Sequence, residues 1–236
     1  MLAAAVLTAV ALGACQPDPD PEAQRTERAA ADERKAEAMA ADFDAAIAAE
    51  NWPLARAQGE VLMADFPDSA AAARIEAKHQ EAKAKAETAT EARRTAALWT
   101  YQTQRVDDGL QLSAAIQSKD RVDVGDGPAQ SVRLIFRDHP DWGKSSYLVL
   151  QNGDFDCYGG CNVQVTVDDA APRAMEASRP DTDEAIAMFI EDERALWNLA
   201  KDAGRISIDI PVKAGGTRTV VYEVAGLDET KLPDWN

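Results

Sequence analysis

The stretch Asn152-Gly-Asp-Phe-Asp-Cys157-Tyr-Gly-Gly-Cys161-Asn-Val-Gln-Val-Thr-Val-Asp-Asp169 decides how the C-terminal half of the chain is built. Gly159 and Gly160 supply the backbone freedom that a tight reversal needs. Val163, Val165 and Val167 alternate with polar residues, as one buried face of a strand does. The pattern predicts a β-hairpin whose turn is stapled by Cys157 and Cys161.

Around this hairpin, from Leu98 onward, β-branched and aromatic residues recur at period two between Gly, Asp and Pro clusters. Strands are expected near 98–105, 111–117, 131–137, 145–151, 161–167, 172–177, 185–190, 205–210 and 217–224, a spacing that suits a sandwich or open barrel. One helix interrupts them at about Glu191 to Ala203, with Leu196, Trp197, Leu199 and Ala200 on its apolar side and Gly204 at its exit. Residues 185–190 also read as the first turns of that helix, with Asp181 and Glu184 as a capping pair.

Upstream, Ala, Glu, Lys and Arg dominate from Ala23 to Trp99, punctuated by Pro53 and Pro67. Three helices follow from this. The first carries an apolar stripe at Met39, Phe43 and Ile47, and the second starts at Pro53 and offers Leu54, Val61, Leu62 and Phe66. The third, capped by Asp68 or Ser69, is mostly Ala and charge, with Ile75, His79, Ala82, Ala86 and Ala89 in line. It reads as a solvated spacer of about 40 Å, from roughly 1.5 Å per residue, or as a self-association helix. The short Asn51-Trp52 link makes the first two an antiparallel hairpin, and with Phe66-Pro67-Asp-Ser69 it resembles one tetratricopeptide-type unit. The expected class is α+β: a helical hairpin and long helix (24–97), then an antiparallel β-sandwich-like domain with one inserted helix (98–236).

A net charge of −16, from 25 basic and 41 acidic residues, argues against nucleic acid and anionic membrane surfaces as partners. Leu2 to Leu12 is uncharged, apolar and too short to span a bilayer, and a switch to Gln-Pro-Asp-Pro-Asp-Pro follows it. Leu12-Gly13-Ala14-Cys15 resembles the lipobox of bacterial lipoproteins. The resemblance implies removal of residues 1–14, acylation of Cys15 and a lipid anchor, with 15–23 as an extended tether. Gln16 stands where that family uses Asp for inner-membrane retention, so the periplasmic face of the outer membrane is expected. An ordinary secretory signal and a buried N-terminal helix are the other readings of this run.

Lipidation of Cys15 would leave Cys157 and Cys161 as an even pair in an exported chain, where a disulfide is the default. A redox pair or a zinc site are the alternatives, the latter short of ligands in a chain with only His79 and His139. His79 falls on a solvated helix face, and His139 in a turn where a loop hydrogen bond is the expected role. Asn152, Asp154 and Asp156 alternate as in an EF-hand loop, yet Cys157 and Val163 occupy the positions of its glycine and bidentate glutamate. Asp123 with Asp126, or Asp168 with Asp169, are weaker loop-site candidates. No Gly-x-Ser-x-Gly, Walker or dinucleotide pattern occurs, and no catalytic residue, metal or cofactor is expected.

One string runs through the β region: Trp99, Tyr101, Ser118, Leu134-x-x-Arg137-x-x-Pro140-x-x-Gly143, the two cysteines with their valines, Asp168-Asp169, Phe189-Ile190, Ile206-x-Ile208 and Tyr222-x-Val224-x-Gly226-Leu227. It resembles a β-rich module of Gram-negative envelope proteins and, more distantly, periplasmic accessory proteins of type VI secretion. The resemblance implies a non-catalytic binding or structural protein with a protein partner in the envelope. An enzyme or inhibitor acting on cell-wall material is the alternative.

Overall fold

The computed structural model describes residues 20–107, 109–125, 127–181 and 186–235. The leader, Cys15 and most of the tether lie outside the described residues, as do Asp126 and Glu184. The chain divides into two compact units, Met1–Glu87 and Thr88–Asn236.

The first unit holds α1 (Pro21–Ala48), α2 (Trp52–Asp65) and most of α3 (Ala70–Ala96). Asp20 and Asn51 cap α1 and α2 by accepting the N–H groups of Glu22 and Leu54, each with a proline in the first turn. Ser69 Oγ accepts from Ala72 N at 3.0 Å, and the Glu33 carboxylate, reaching over from α1, accepts from Ala70 N and Ala71 N at 3.0 Å each. Two orphan N–H groups of α3 are thus satisfied by another helix.

The α2 core face is Ala55, Gly59 and Leu62, while Leu54 and Val61, expected to point inward, are 45% and 48% exposed. Small residues win this face because His79 packs on it: a Cβ at Gly59 would lie 2.4 Å from His79 Cδ2. His79 is therefore not on a solvated face. It is 5% exposed, edge-on to Phe43 at 6.4 Å, and neither ring nitrogen has a hydrogen-bond partner among the described residues. Ile75 and Ala82 join the same core, and Arg74 and Lys78 pair with Glu37 and Asp44 of α1. The first part of α3 is a packed third helix, not a free spacer.

The second unit is built on β1 (Trp99–Val106), β2 (Gly109–Gln117), β3 (Arg133–His139), β4 (Gly143–Val149), β5 (Cys161–Val167), β6 (Arg173–Ser178), β7 (Ala187–Ile190), β8 (Ile206–Pro211) and β9 (Thr217–Tyr222). All nine join one antiparallel sheet in the order β1-β2-β3-β4-β7-β6-β5-β8-β9. The sheet curls so that its two ends approach at one corner. Just beyond β2, Lys119 N donates to Val221 O of β9 at 2.7 Å, and Trp99 Nε1 of β1 donates to Val224 O at 3.2 Å. The sandwich-like layering thus arises from one sheet closing over a shared core, which includes Ile116, Phe136, Leu148, Val163, Val165, Ile208 and Val220.

The inserted helix is α4 (Glu193–Asp202), capped by Asp192 Oδ1 on Ala195 N at 2.9 Å. Residues 187–190 are a strand, not its first turns, because Met188 and Ile190 face the core while Tyr147 of β4 pairs with Phe189. Leu196, Trp197 and Ala200 seal the open side of the sheet.

The quoted stretch does not form two arms of one hairpin. Phe155 bridges Val212 and Tyr158 bridges Arg179, while β5 begins only at Cys161 and pairs with β6 and β8. Asp154 turns its carboxylate to Phe155 N, Tyr158 and Arg179, and the Asn152 backbone is held by Gln130, so this segment offers no strand face to match that of β5.

The last turns of α3 belong to the β unit, where Arg94 pairs with Glu223 at 2.8 Å. Gly226 (φ 85°) leaves room for backbone: a Cβ there would lie 2.6 Å from Ala96 N and 2.8 Å from Ala96 Cα. Gly226→Ala should therefore lower the stability of the β unit by about 2 kcal/mol or more. Gly215→Ala, with similar strain but nothing within 4 Å, should cost only about 1 kcal/mol. Urea unfolding measures both, and equal costs would mean that Ala96 does not dock at Gly226. A fragment of residues 88–236 should melt cooperatively, and one beginning at 98 should melt lower because it lacks the Arg94 pair and this docking.

Candidate functional site

The Sγ atoms of Cys157 and Cys161 stand at disulfide distance, 2.02 Å, with their Cα atoms 5.2 Å apart. Gly159 and Gly160, at φ 74° and 99°, make the turn between them, and Gly160 N donates to Cys157 O at 3.3 Å. Arg179 N also donates to Cys157 O, at 3.1 Å, which ties the turn to the end of β6.

Beside it, Asp154 collects polar partners that no sequence pattern brings together. Its Oδ1 accepts from Phe155 N and from Arg179 Nε, both at 2.8 Å, and its Oδ2 accepts from the Tyr158 hydroxyl at 3.2 Å. Lys213 Nζ lies 3.7 Å away, and the Arg179 and Lys213 cations lie 4.9 and 5.5 Å from the Tyr158 ring. Burial would push the Asp154 carboxyl up, but the Arg179 hydrogen bond, the Phe155 N–H and the Arg179 charge together hold it below its ordinary value of 3.8. A buried guanidinium paired with one carboxylate fixes position at the cost of desolvation, so this cluster orders the loop.

The turn borders a cleft of about 800 Å³ lined by Tyr158, Asn162, Glu176, Arg179, Asp181 and Glu191, among others. Glu176 and Glu191 are adjacent, with Glu191 N donating to Glu176 O at 2.9 Å, and both carboxylates are exposed.

The remaining sequence candidates have local duties. Asp168 (φ 47°) accepts from Gly204 N and Arg205 N at 3.1 and 2.8 Å, so it holds the exit of α4. Asp169 pairs with Arg205 at 3.2 Å, and Asp123 Oδ1 accepts from Gly125 N at 2.8 Å. Among the described residues, no group of three or more His, Cys, Asp or Glu is placed to hold a metal ion. His139 Nδ1 accepts from Asp141 N at 3.1 Å, and its ring stacks on Trp142 at 3.9 Å. The Arg137 guanidinium lies 5.3 Å from the Trp142 ring and 5.2 Å from the Tyr147 ring. Tyr147 reaches Arg137 through the β3–β4 register, which sets Tyr147 opposite Ile135 and Ser145 opposite Arg137.

No protein-family model and no curated protein matches the chain. Among solved structures, invasion associated protein B from Bartonella henselae is similar at 13% identity and a TM-score of 0.39, over 58% of this chain and 91% of that one. A likeness of that size says nothing about what this chain does.

Two outcomes are expected at this site. Replacing both cysteines with Ser should lower stability by about 2 kcal/mol, since a loop this small restricts the unfolded chain only slightly; complete loss of the fold would contradict a staple of modest weight. Because the carboxyl of Asp154 is depressed in the folded state, its contribution is fully present above pH 3.8, its ordinary value, and is lost as pH falls through the lower folded value. Asp154→Asn should cost about 1–3 kcal/mol at neutral pH and flatten this part of the acid limb, which chemical denaturation at a series of pH values would read.

Proposed function

We propose that this chain is a lipid-anchored protein of the cell envelope with a non-catalytic binding or structural role. What carries the reading is the use of the reactive side chains. Cys157 and Cys161 close a turn, His139 accepts backbone N–H groups, and Asp154 and Asp168 are engaged with Arg179 and the α4 exit. The lipobox-like Leu12 to Cys15 and the proline-alternating tether behind it support an anchor, with the folded units held off the outer membrane on its periplasmic side. No described helix is long and apolar enough to cross a membrane. Mass spectrometry of the native N-terminus should find acylated Cys15, and an unmodified Cys15 or cleavage elsewhere would remove the anchor.

One observation favours a second reading, an enzyme or inhibitor acting on wall material: Glu176 and Glu191 share the cleft beside the disulfide turn. On that reading the purified protein would cleave wall polymers or block their cleavage, and Glu176→Gln with Glu191→Gln would abolish the effect. On the binding reading there is no effect to abolish.

A further inference from the structure

The outer face of β1–β4 and β7 is chemically unlike the rest of the chain. Strand registers set two rows straight across it: Thr100, Ala115, Ile135, Tyr147 and Phe189 in one, and Gln102, Ser113, Arg137 and Ser145 in the next. Adding Gln104, Gln111 and Gln117, the outward positions of β1 and β2 carry amides and hydroxyls, with Ala115, Val106 and Gly109 between or beyond them, but no charge, in a chain that is 28% charged. A groove of about 180 Å³ crosses this face, lined in part by Leu98, Thr100, Gln102, Gln117, Arg133 and Tyr147.

The cations on this face are Arg133 and Arg137, and neither has a carboxylate partner among the described residues, although the whole chain carries −16. Arg137 is held without one: Trp142 and Tyr147 flank its guanidinium, and Nε donates to Ser145 Oγ at 3.2 Å. Trp142 is 69% exposed, yet its ring is fixed by stacking on His139, itself 5% exposed and hydrogen-bonded to backbone. A rigid exposed indole beside an oriented, unneutralised guanidinium is a preorganised recognition element. Tyr147 and Phe189 stack at 5.0 Å and extend the aromatic surface.

We propose that this face binds an acidic glycan, a polysaccharide that carries carboxylates on its sugars or on their substituents. The planar amides and hydroxyls match sugar hydroxyls, and the indole offers a flat apolar surface to the C–H face of a ring. Arg137 and Arg133 take carboxylates, Arg137 in the bidentate geometry that its planar fork favours. From β1 to β7 the face spans about 19 Å at roughly 4.8 Å per strand, the reach of a short oligosaccharide. An apolar protein partner fits less well, because Ile135 in the groove is already buried and would add little burial. Two arginines on so acidic a chain make a poor phosphate track, which disfavours nucleic acid. The inference rests on the non-catalytic binding reading and gives it a ligand class.

Two sources supply such a glycan, peptidoglycan strands and uronate-rich exopolysaccharide, and the test separates them. The mature chain is co-sedimented with purified sacculi and run through gels containing polygalacturonate or, as the neutral control, dextran. Retention by at least one acidic polymer and not by dextran is expected, and the polymer that retains it names the source. Arg133→Ala with Arg137→Ala should weaken retention at least tenfold, as should Trp142→Ala, with thermal melts matching the parent. Arg137→Lys, which keeps the charge but not the fork, serves if the alanine variant unfolds, and should also weaken retention. Retention by neither acidic polymer, equal retention by dextran, or retention unchanged in well-folded variants would overturn the ligand assignment while leaving the anchor and the binding role standing. Retention accompanied by new reducing ends would support the ligand and overturn the non-catalytic reading.

Discussion

Phe136 meets three indoles at once. Its ring lies 6.2 Å from Trp99, 5.1 Å from Trp197 and 5.5 Å from Trp235, and the last two are 5.1 Å apart. These rings come from β1, β3, α4 and the 3-10 turn Pro233–Trp235, so elements distant in sequence are closed by one aromatic contact set. Buried rings of this size dominate the energetics of a core, and edge-to-face geometry adds about 0.5–1.5 kcal/mol per pair beyond burial. The rolled sheet depends on this closure, because an open nine-stranded sheet would expose its inner face along its whole length.

Closing the inner face leaves the outer one free to differ. On β1 and β2 that freedom is spent on amides and hydroxyls, and on β3 and β4 on arginine and aromatic residues fixed against each other. Beside β5 and β6, the disulfide turn and the Asp154–Arg179 pair hold a loop that meets the ends of β6 and β8 only through isolated bridges. The two regions differ in kind: buried polar contacts set the shape of one, and exposed groups stacked on each other mark the other.

The strands were legible because period-two alternation survives wherever one face is buried, and β5 falls at the residues where Val163 and Val165 mark it. The roll was not, since Lys119 N to Val221 O is a backbone contact between segments about a hundred residues apart. His79 misled for a related reason. Alanine-rich helices hide their packing face, and the decisive partner of the imidazole is the missing side chain of Gly59. Asp154 and Arg179 were individually visible but carried no spacing signal, because sequence separation does not encode which loop a sheet end meets. Gly159 and Gly160 correctly announced a turn, yet the arms of that turn were assigned to a hairpin when one of them is a loop.

Amide hydrogen exchange of the β unit tests the closure most directly, because strands of one cooperative sheet open together. If the sheet is a single rolled structure locked at Phe136, the slowest amides of β3, β4, β5 and β8 should share one opening free energy, and Phe136→Ala should lower them all alike. Two groups of strands with separate opening energies, only one of them responding to that substitution, would contradict it and return the domain to two independent layers.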